Sequence, residues 1–247
     1  MPRKRPARQR LDQIMVEHGL TDSLENARAL VMAARVRVEG QLATTPGQRI
    51  SSDVDITLEA KPEYYGRGGI KLAHALDHFQ LTVTGITVLD VGASTGGFTH
   101  CLLQRGAQRV YALDVGYGQL DYRLRQDPRV VVMERVNARY PFPLESLVDL
   151  VTLDVSFISL TRVLPSAMVH LGERGAIVAL VKPQFEARRN EVWKGGVIRD
   201  SRVHARVLGR VIAWAVNNSF RLRDLVPSPI TGEQGNREFF LLLSPAG

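Results

Sequence analysis

A chain of 247 residues, 45% of them hydrophobic, holds one ordinary domain and a small second one, each with apolar residues enough for a core. The single cysteine, Cys101, excludes an intramolecular disulfide and a cysteine-based zinc site, and no metal is expected. The net charge of +7 is uneven: residues 1 to 10 hold five basic residues and no acid, and residues 11 to 60 hold four against eight acids. An arm and a large basic domain suit a polyanion partner, although excess positive charge also serves solubility alone. The basic start is followed by no apolar segment, and no apolar run approaches the roughly 18 residues of a spanning helix, so a cytoplasmic protein with no membrane role is expected.

In chain order, Leu11, Ile14, Met15 and His18 recur at helical spacing up to Gly19, and a second helix runs from Ser23 to about Ala34 with Ala27, Leu30 and Val31 inward. Short strands follow around Val36 to Val38 and Asp55 to Leu58, with turn residues at Glu39-Gly40 and Pro46-Gly47. The wording R-L-D-Q-I-M-V-E-H-G-L-T-D-S-L-E-N-A-R-A-L-V-M-A-A-R-V-R-V-E-G resembles the S-four-type RNA-binding domain, departing from it at Leu24, where an arginine is usual. The resemblance implies a small α+β domain over residues 1 to 60, including the basic arm. Arg10, Arg28, Arg35 and Arg37 are its candidate phosphate contacts, with Arg3, Lys4 and Arg5 in the arm and Arg67 beyond it; the alternative is solvated charge on a small fold.

Residues 61 to 66 change composition and read as a linker, and residues 67 to 247 form the second domain. After a helical stretch from about Ile70 to Phe79, the apolar run Thr87 to Leu89 ends in Asp90, turns through Gly92, Ala93, Ser94, Thr95, Gly96 and Gly97, and enters a helix at Phe98. Strand, glycine loop and helix make a nucleotide-type site at the carboxyl end of a parallel strand. The glycine spacing is not that of a dinucleotide fold and looks like the first motif of S-adenosylmethionine (SAM) methyltransferases, with a NAD site or a plain turn as alternatives. Asp114, 24 residues after Asp90, ends the next strand, where it serves as a ribose acceptor or as a turn acid. Further strands are expected at Val130 to Met133, Leu150 to Asp154, Ala176 to Val181, Leu222 to Val226 and Glu238 to Leu243. The first five strands come as strand-helix units and the last two as a hairpin. That pattern is an α/β, Rossmann-like sheet of seven strands, parallel except for the last. Arg202, Arg206 and Arg210 recur every four residues opposite Val203, Val207 and Val211, as on a helix with one solvated face.

Lys71, Asp154, Lys182 and Glu238 stand at element boundaries where side chains converge on the loop. They match the K-D-K-E tetrad of the FtsJ-type RNA ribose 2′-O-methyltransferases, and the phrases A-S-T-G-G-F-T, D-V-G-Y-G-Q-L, D-P-R-V-V-V, L-D-V-S-F-I-S-L and V-K-P-Q-F-E resemble the TlyA family over nearly the whole chain. The resemblance implies methylation of cytidine 2′-hydroxyls in ribosomal RNA, of the large subunit and in some members the small, with ribosomal subunits rather than DNA as partners. A 2′-hydroxyl needs a base. With SAM bound, two lysines and a sulfonium face two carboxylates, and that excess favours loss of one lysine proton. Lys182 is the expected base, Asp154 and Glu238 its orienting partners, and Lys71 a positioning cation. The cofactor is expected against Asp90, Gly92, Ala93, Ser94, Gly96, Gly97, Phe98 and Asp114, with Asn137 on its adenine side. A haemolysin, the other label of this family, and a noncatalytic RNA-binding protein are the alternatives.

Overall fold

A computed structural model describes residues 8–59, 63–188, 191–192 and 195–246. The chain divides into two compact units, Met1–Pro62 and Glu63–Gly247. In the first, strand β1 (Arg8–Arg10) leads into helices α1 (Leu11–Glu17) and α2 (Leu24–Met32), followed by β2 (Val36–Val38), β3 (Gln41–Leu42), β4 (Arg49–Ser51) and β5 (Ile56–Leu58). Ser23 caps α2, its hydroxyl accepting from Asn26 N–H at 3.1 Å. The β2–β3 hairpin turns through Glu39 and Gly40, both at positive φ, as a two-residue turn of matching twist requires. Leu11, Ile14, Met15, Ala27, Val31, Val36, Ala43 and Ile56 form the core. Arg8 to Arg10, expected within the basic arm, instead pair antiparallel with Arg49–Ser51. The arm residues Arg3, Lys4 and Arg5 lie outside the described residues.

The second unit opens with α3 (Arg67–His78), β6 (Thr87–Val91), α4 (Gly97–Gln104), β7 (Arg109–Asp114), α5 (Tyr122–Arg125) and β8 (Val130–Glu134). It continues through β9 (Val148–Leu153), α6 (Leu164–Met168), β10 (Leu171–Val181), α7 (Pro183–Glu186) and α8 (Ser201–Asn217) to the final pair β11 (Phe220–Pro227) and β12 (Phe239–Pro245). The seven strands lie in the order β11-β12-β10-β9-β6-β7-β8, with β12 antiparallel to both its neighbours. Alternate residues feed opposite faces: Leu89, Val91, Val151 and Leu153 pack toward α6 and α8, while Val88, Leu150, Val178 and Phe240 pack toward α3 and α4. Two sequence expectations change here. No helix joins β8 to β9, because Pro141 and Pro143 deny that segment its hydrogen bonds and the α region to the residues before them. Tyr64, expected in the linker, is buried in the core of this unit.

Asp90 follows the same alternation and points to the α4 face, away from the ligand side of its loop. It is wholly buried and accepts from Thr99 Oγ1 on α4 at 2.7 Å and from Thr152 Oγ1 on β9 at 2.9 Å, tying together three elements beneath the glycines. Burial pushes its carboxyl up to about 7, the negative charge of Asp154 adding to the rise and the two hydroxyl bonds opposing it. Between about pH 4 and 7 the folded state thus holds a proton that the unfolded chain has released, so stability contributed at low pH is lost as pH rises through that window. Asp90→Asn keeps the shape and removes the titration. Its urea midpoint is expected to fall less between pH 5 and pH 7 than that of the parent; equal falls would disprove the linkage.

Candidate active site

Strand order reverses between β6 and β9, and a crevice opens at the carboxyl ends of the strands at such a switch point. There a cavity of about 530 Å³ is bounded by the glycine loop, the start of α3, the segments after β9 and β10, and the loop before β12. Two helices begin at its wall without side-chain caps, α3 after Gly66 and α4 after Gly96; in α3 the Gly69 N–H already donates to the Gly66 carbonyl at 3.1 Å. They can meet because glycine faces glycine: a Cβ on Gly97 would lie 3.0 Å from Gly69 N and 3.3 Å from Gly68 Cα. Gly92, at φ +87, passes so close to β9 that a Cβ would stand 2.5 Å from the Asp154 carbonyl oxygen.

All four tetrad residues line this cavity. Asp154 and Lys182 follow the last residues of β9 and β10. Glu238 precedes the first residue of β12, and because β12 runs antiparallel, with Phe239 beside Val181, its amino end comes to the same edge. Lys71 reaches them from the second turn of α3. Lys71 Nζ donates to Glu238 Oε2 at 2.6 Å, and these side chains are 9% and 2% exposed. Lys182 Nζ stands 2.6 Å from Asp154 Oδ1 as an ion pair off the hydrogen-bonding direction, and donates its aligned bond to Ser156 Oγ at 2.9 Å. The site thus holds two lysine–carboxylate pairs, one buried and fully aligned, the other closer to the opening.

Gly92, Ala93, Ser94, Gly97 and Phe98 of the expected cofactor set line the cavity. Gly96, at φ +96, lies behind the loop, against Leu124 and Leu120. Asp90 lies beneath it, as described. Asp114 accepts from Ser94 N–H at 2.8 Å and Gly116 N–H at 2.7 Å, so its carboxylate shapes the loop from outside the lining. Asn137 is exposed, caps its own turn by accepting from Arg139 N–H at 3.1 Å, and is not brought to the cavity. Arg67 lines the cavity and donates to the Thr231 carbonyl at 2.8 Å, joining α3 to the loop before β12.

Several cavity residues escaped the sequence analysis: Tyr65, Ser156, Phe157, Gln184, Phe185 and the Gly232-Glu233-Gln234 loop. Phe157 stands out, 90% exposed, at φ +63, with its ring 5.0 Å from that of Phe185. Its phenyl ring thus lies open on a left-handed backbone at the cavity lining. Two supports outside the cavity were also missed. Glu186, its carboxyl pushed up by burial, accepts from Ser159 Oγ and Leu160 N–H at 2.6 Å each and pins the segment carrying Phe157. Asn236, fully buried, accepts from Ile198 N–H and donates to the Gly196 carbonyl, both at 2.9 Å, bracing the approach to Glu238. The arginines of α8 are partly engaged as well, Arg206 and Arg210 both donating to Glu191.

In the smaller unit, Arg35 donates twice to the Glu59 carbonyl, and Arg37 donates to Glu59 Oε1 at 2.6 Å and to the Gly40 carbonyl. Arg10 and Arg28 both bind Asp12.

Comparison with known proteins agrees with this geometry. The S4 domain model matches residues 9–56 and the FtsJ-like methyltransferase model residues 64–244. The 16S/23S rRNA (cytidine-2′-O)-methyltransferase TlyA of Mycobacterium tuberculosis is 45% identical, covering 96% of this chain and 90% of that one. Hemolysin A of Brachyspira hyodysenteriae is 39% identical over 93% of this chain and 97% of its own. A solved structure from Streptococcus thermophilus, also described as a hemolysin, is 43% identical with a TM-score of 0.74, covering 98% of this chain and 90% of that one. Among the described residues no helix is long and apolar enough to cross a membrane. The family model spans the glycine loop, all four tetrad residues and every strand of the large sheet, and the chain belongs to the FtsJ-like methyltransferase family.

Proposed function

We propose that this protein methylates the ribose 2′-hydroxyl of cytidine in ribosomal RNA, with SAM as methyl donor. The observation that carries the proposal is the convergence of Lys71–Glu238 and Lys182–Asp154 on one cavity walled by a glycine loop. The cavity suits SAM in size and chemistry: about 530 Å³ falls within the range of small-molecule sites, helix N-termini match a carboxylate, and the tetrad acids match the cationic groups. Gly92, Ala93, Ser94, Gly97 and Phe98 would hold it. When bound, SAM supplies an electrophilic methyl group.

The chain's own residues do the rest. After giving its own proton to solvent, as the extra positive charge of bound SAM favours, a neutral Lys182 takes the proton of the 2′-hydroxyl as that oxygen gains the methyl group, with Asp154 and Ser156 fixing its Nζ. Lys71, held by Glu238, is the fixed cation beside the acceptor, and much of the acceleration comes from holding the reacting atoms together. Phe157 at the opening offers a flat apolar face on which an unstacked base can lie, as single-stranded RNA recognition requires. The relatives named as rRNA methyltransferases support the choice of substrate, and the S4 domain supports RNA contact, which puts the work in the cytoplasm.

The test is transfer of labelled methyl from SAM to unmodified ribosomal subunits and naked ribosomal RNA, with the product ribose mapped. Label at a cytidine 2′-oxygen is expected. Lys182→Ala should lower kcat by about a hundredfold or more with SAM affinity nearly unchanged, and preserved turnover would remove Lys182 as the base. Phe157→Ala should raise KM for RNA about tenfold, as loss of one stacked base does, while SAM affinity stays constant. A Phe157→Ala effect on SAM alone would place the ring against the donor instead.

A further inference from the structure

In the amino-terminal unit Arg10 and Arg28 converge on one carboxylate. Arg10 donates from Nε and Nη2 to the two oxygens of Asp12 at 2.9 and 2.7 Å, and Arg28 donates from Nε to Oδ2 at 3.0 Å. Asp12 is 0% exposed, whereas the arginine side chains are 42% and 56% exposed. The hydrogen bonds from Arg10, and after them those from Arg28, hold the Asp12 carboxyl at about 2 against the upward push of burial, so it is ionised throughout the physiological range. Two guanidiniums on one carboxylate leave a net positive cluster. Among the described residues Arg28 is bonded only through Nε, to Asp12, which leaves both its terminal amino groups for another acceptor. Arg35 and Arg37 spend two nitrogens each within the fold, as Arg10 does, but no buried carboxylate orders them: Arg35 is held by the Glu59 carbonyl oxygen, and Arg37 by the half-exposed Glu59 carboxylate and the Gly40 carbonyl oxygen.

We propose that Asp12 is a positioning residue that sets Arg10 and Arg28 as a preformed clamp for a nucleic-acid phosphodiester. The inference rests on the view that this unit meets RNA. Its logic is entropic: an arginine gains little from a surface phosphate when its long side chain must first be ordered, and the buried carboxylate has ordered two of them in advance. The clamp runs against simple charge counting. Removing a negative charge from an RNA-binding surface should tighten binding if only the long-range field matters. If Asp12 positions the arginines, removing its charge loosens binding.

The experiment measures anisotropy of a fluorescein-labelled RNA stem-loop with the full-length protein across a salt series. Asp12→Asn is expected to weaken binding about fivefold and to flatten the dependence of log affinity on log salt, and Arg28→Gln to reduce that slope by about one phosphate contact. In an Arg10→Gln/Arg28→Gln background, Asp12→Asn should cost nothing further, because the groups it positions are gone. Equal or tighter binding by Asp12→Asn overturns the clamp. So does an equal loss in the double-arginine background, which would mark a structural effect on the unit. Weakening by Arg28→Gln without weakening by Asp12→Asn overturns the clamp and leaves RNA contact standing, whereas no loss in either arginine variant overturns both.

Discussion

A charge taken out of water must find an opposite charge, and in the larger unit that requirement decides which chain ends meet. Lys71 and Glu238 are nearly inaccessible, and neither would be tolerated in place without the other. Pairing them binds a helix at the front of the unit to the last strand of its sheet. Lys182 and Asp154 bind the ends of two adjacent parallel strands in the same way. The glycine contacts between α3 and α4 follow from this geometry, because only side-chain-free backbone lets Lys71 approach the strand ends so closely.

Much of this was legible in the sequence because apolar strands that stop at a charged residue announce their own carboxyl ends. Asp154 and Lys182 could be placed on the active edge from that rule alone, and Glu238 from the hairpin that makes its strand antiparallel. Asp90 and Asn137, expected against the cofactor, do not line the cavity. Strand alternation turns Asp90 toward α4, and Asn137 serves its own turn. Phe157, Gln184 and Gly232 were illegible for a different reason: their places depend on how loops fold over the edge, and loop paths carry no hydrophobic period. The helix expected between β8 and β9 failed on local chemistry, two prolines that the strand-helix rhythm had overridden.

The negative balance of the small unit overstates how much free acid it presents. Of its acids, Asp12 is buried between two arginines, and the half-exposed Glu59 is paired with Arg37. A count of charges treats such an acid as repulsive to phosphate. Asp12 is instead neutralised by the two arginines beside it. Net charge therefore says little about this surface until the internal partners of each acid are known.

The span between Lys71 and Glu238 also has a consequence for how the protein is made. The two are 167 residues apart, so at about 5 to 20 residues per second the lysine exists for roughly 10 to 30 seconds before its carboxylate is polymerised. Docking α3 in its final place before then would bury Lys71 without its carboxylate. The site is thus complete only once the segment carrying Glu238 has been made and has folded against α3.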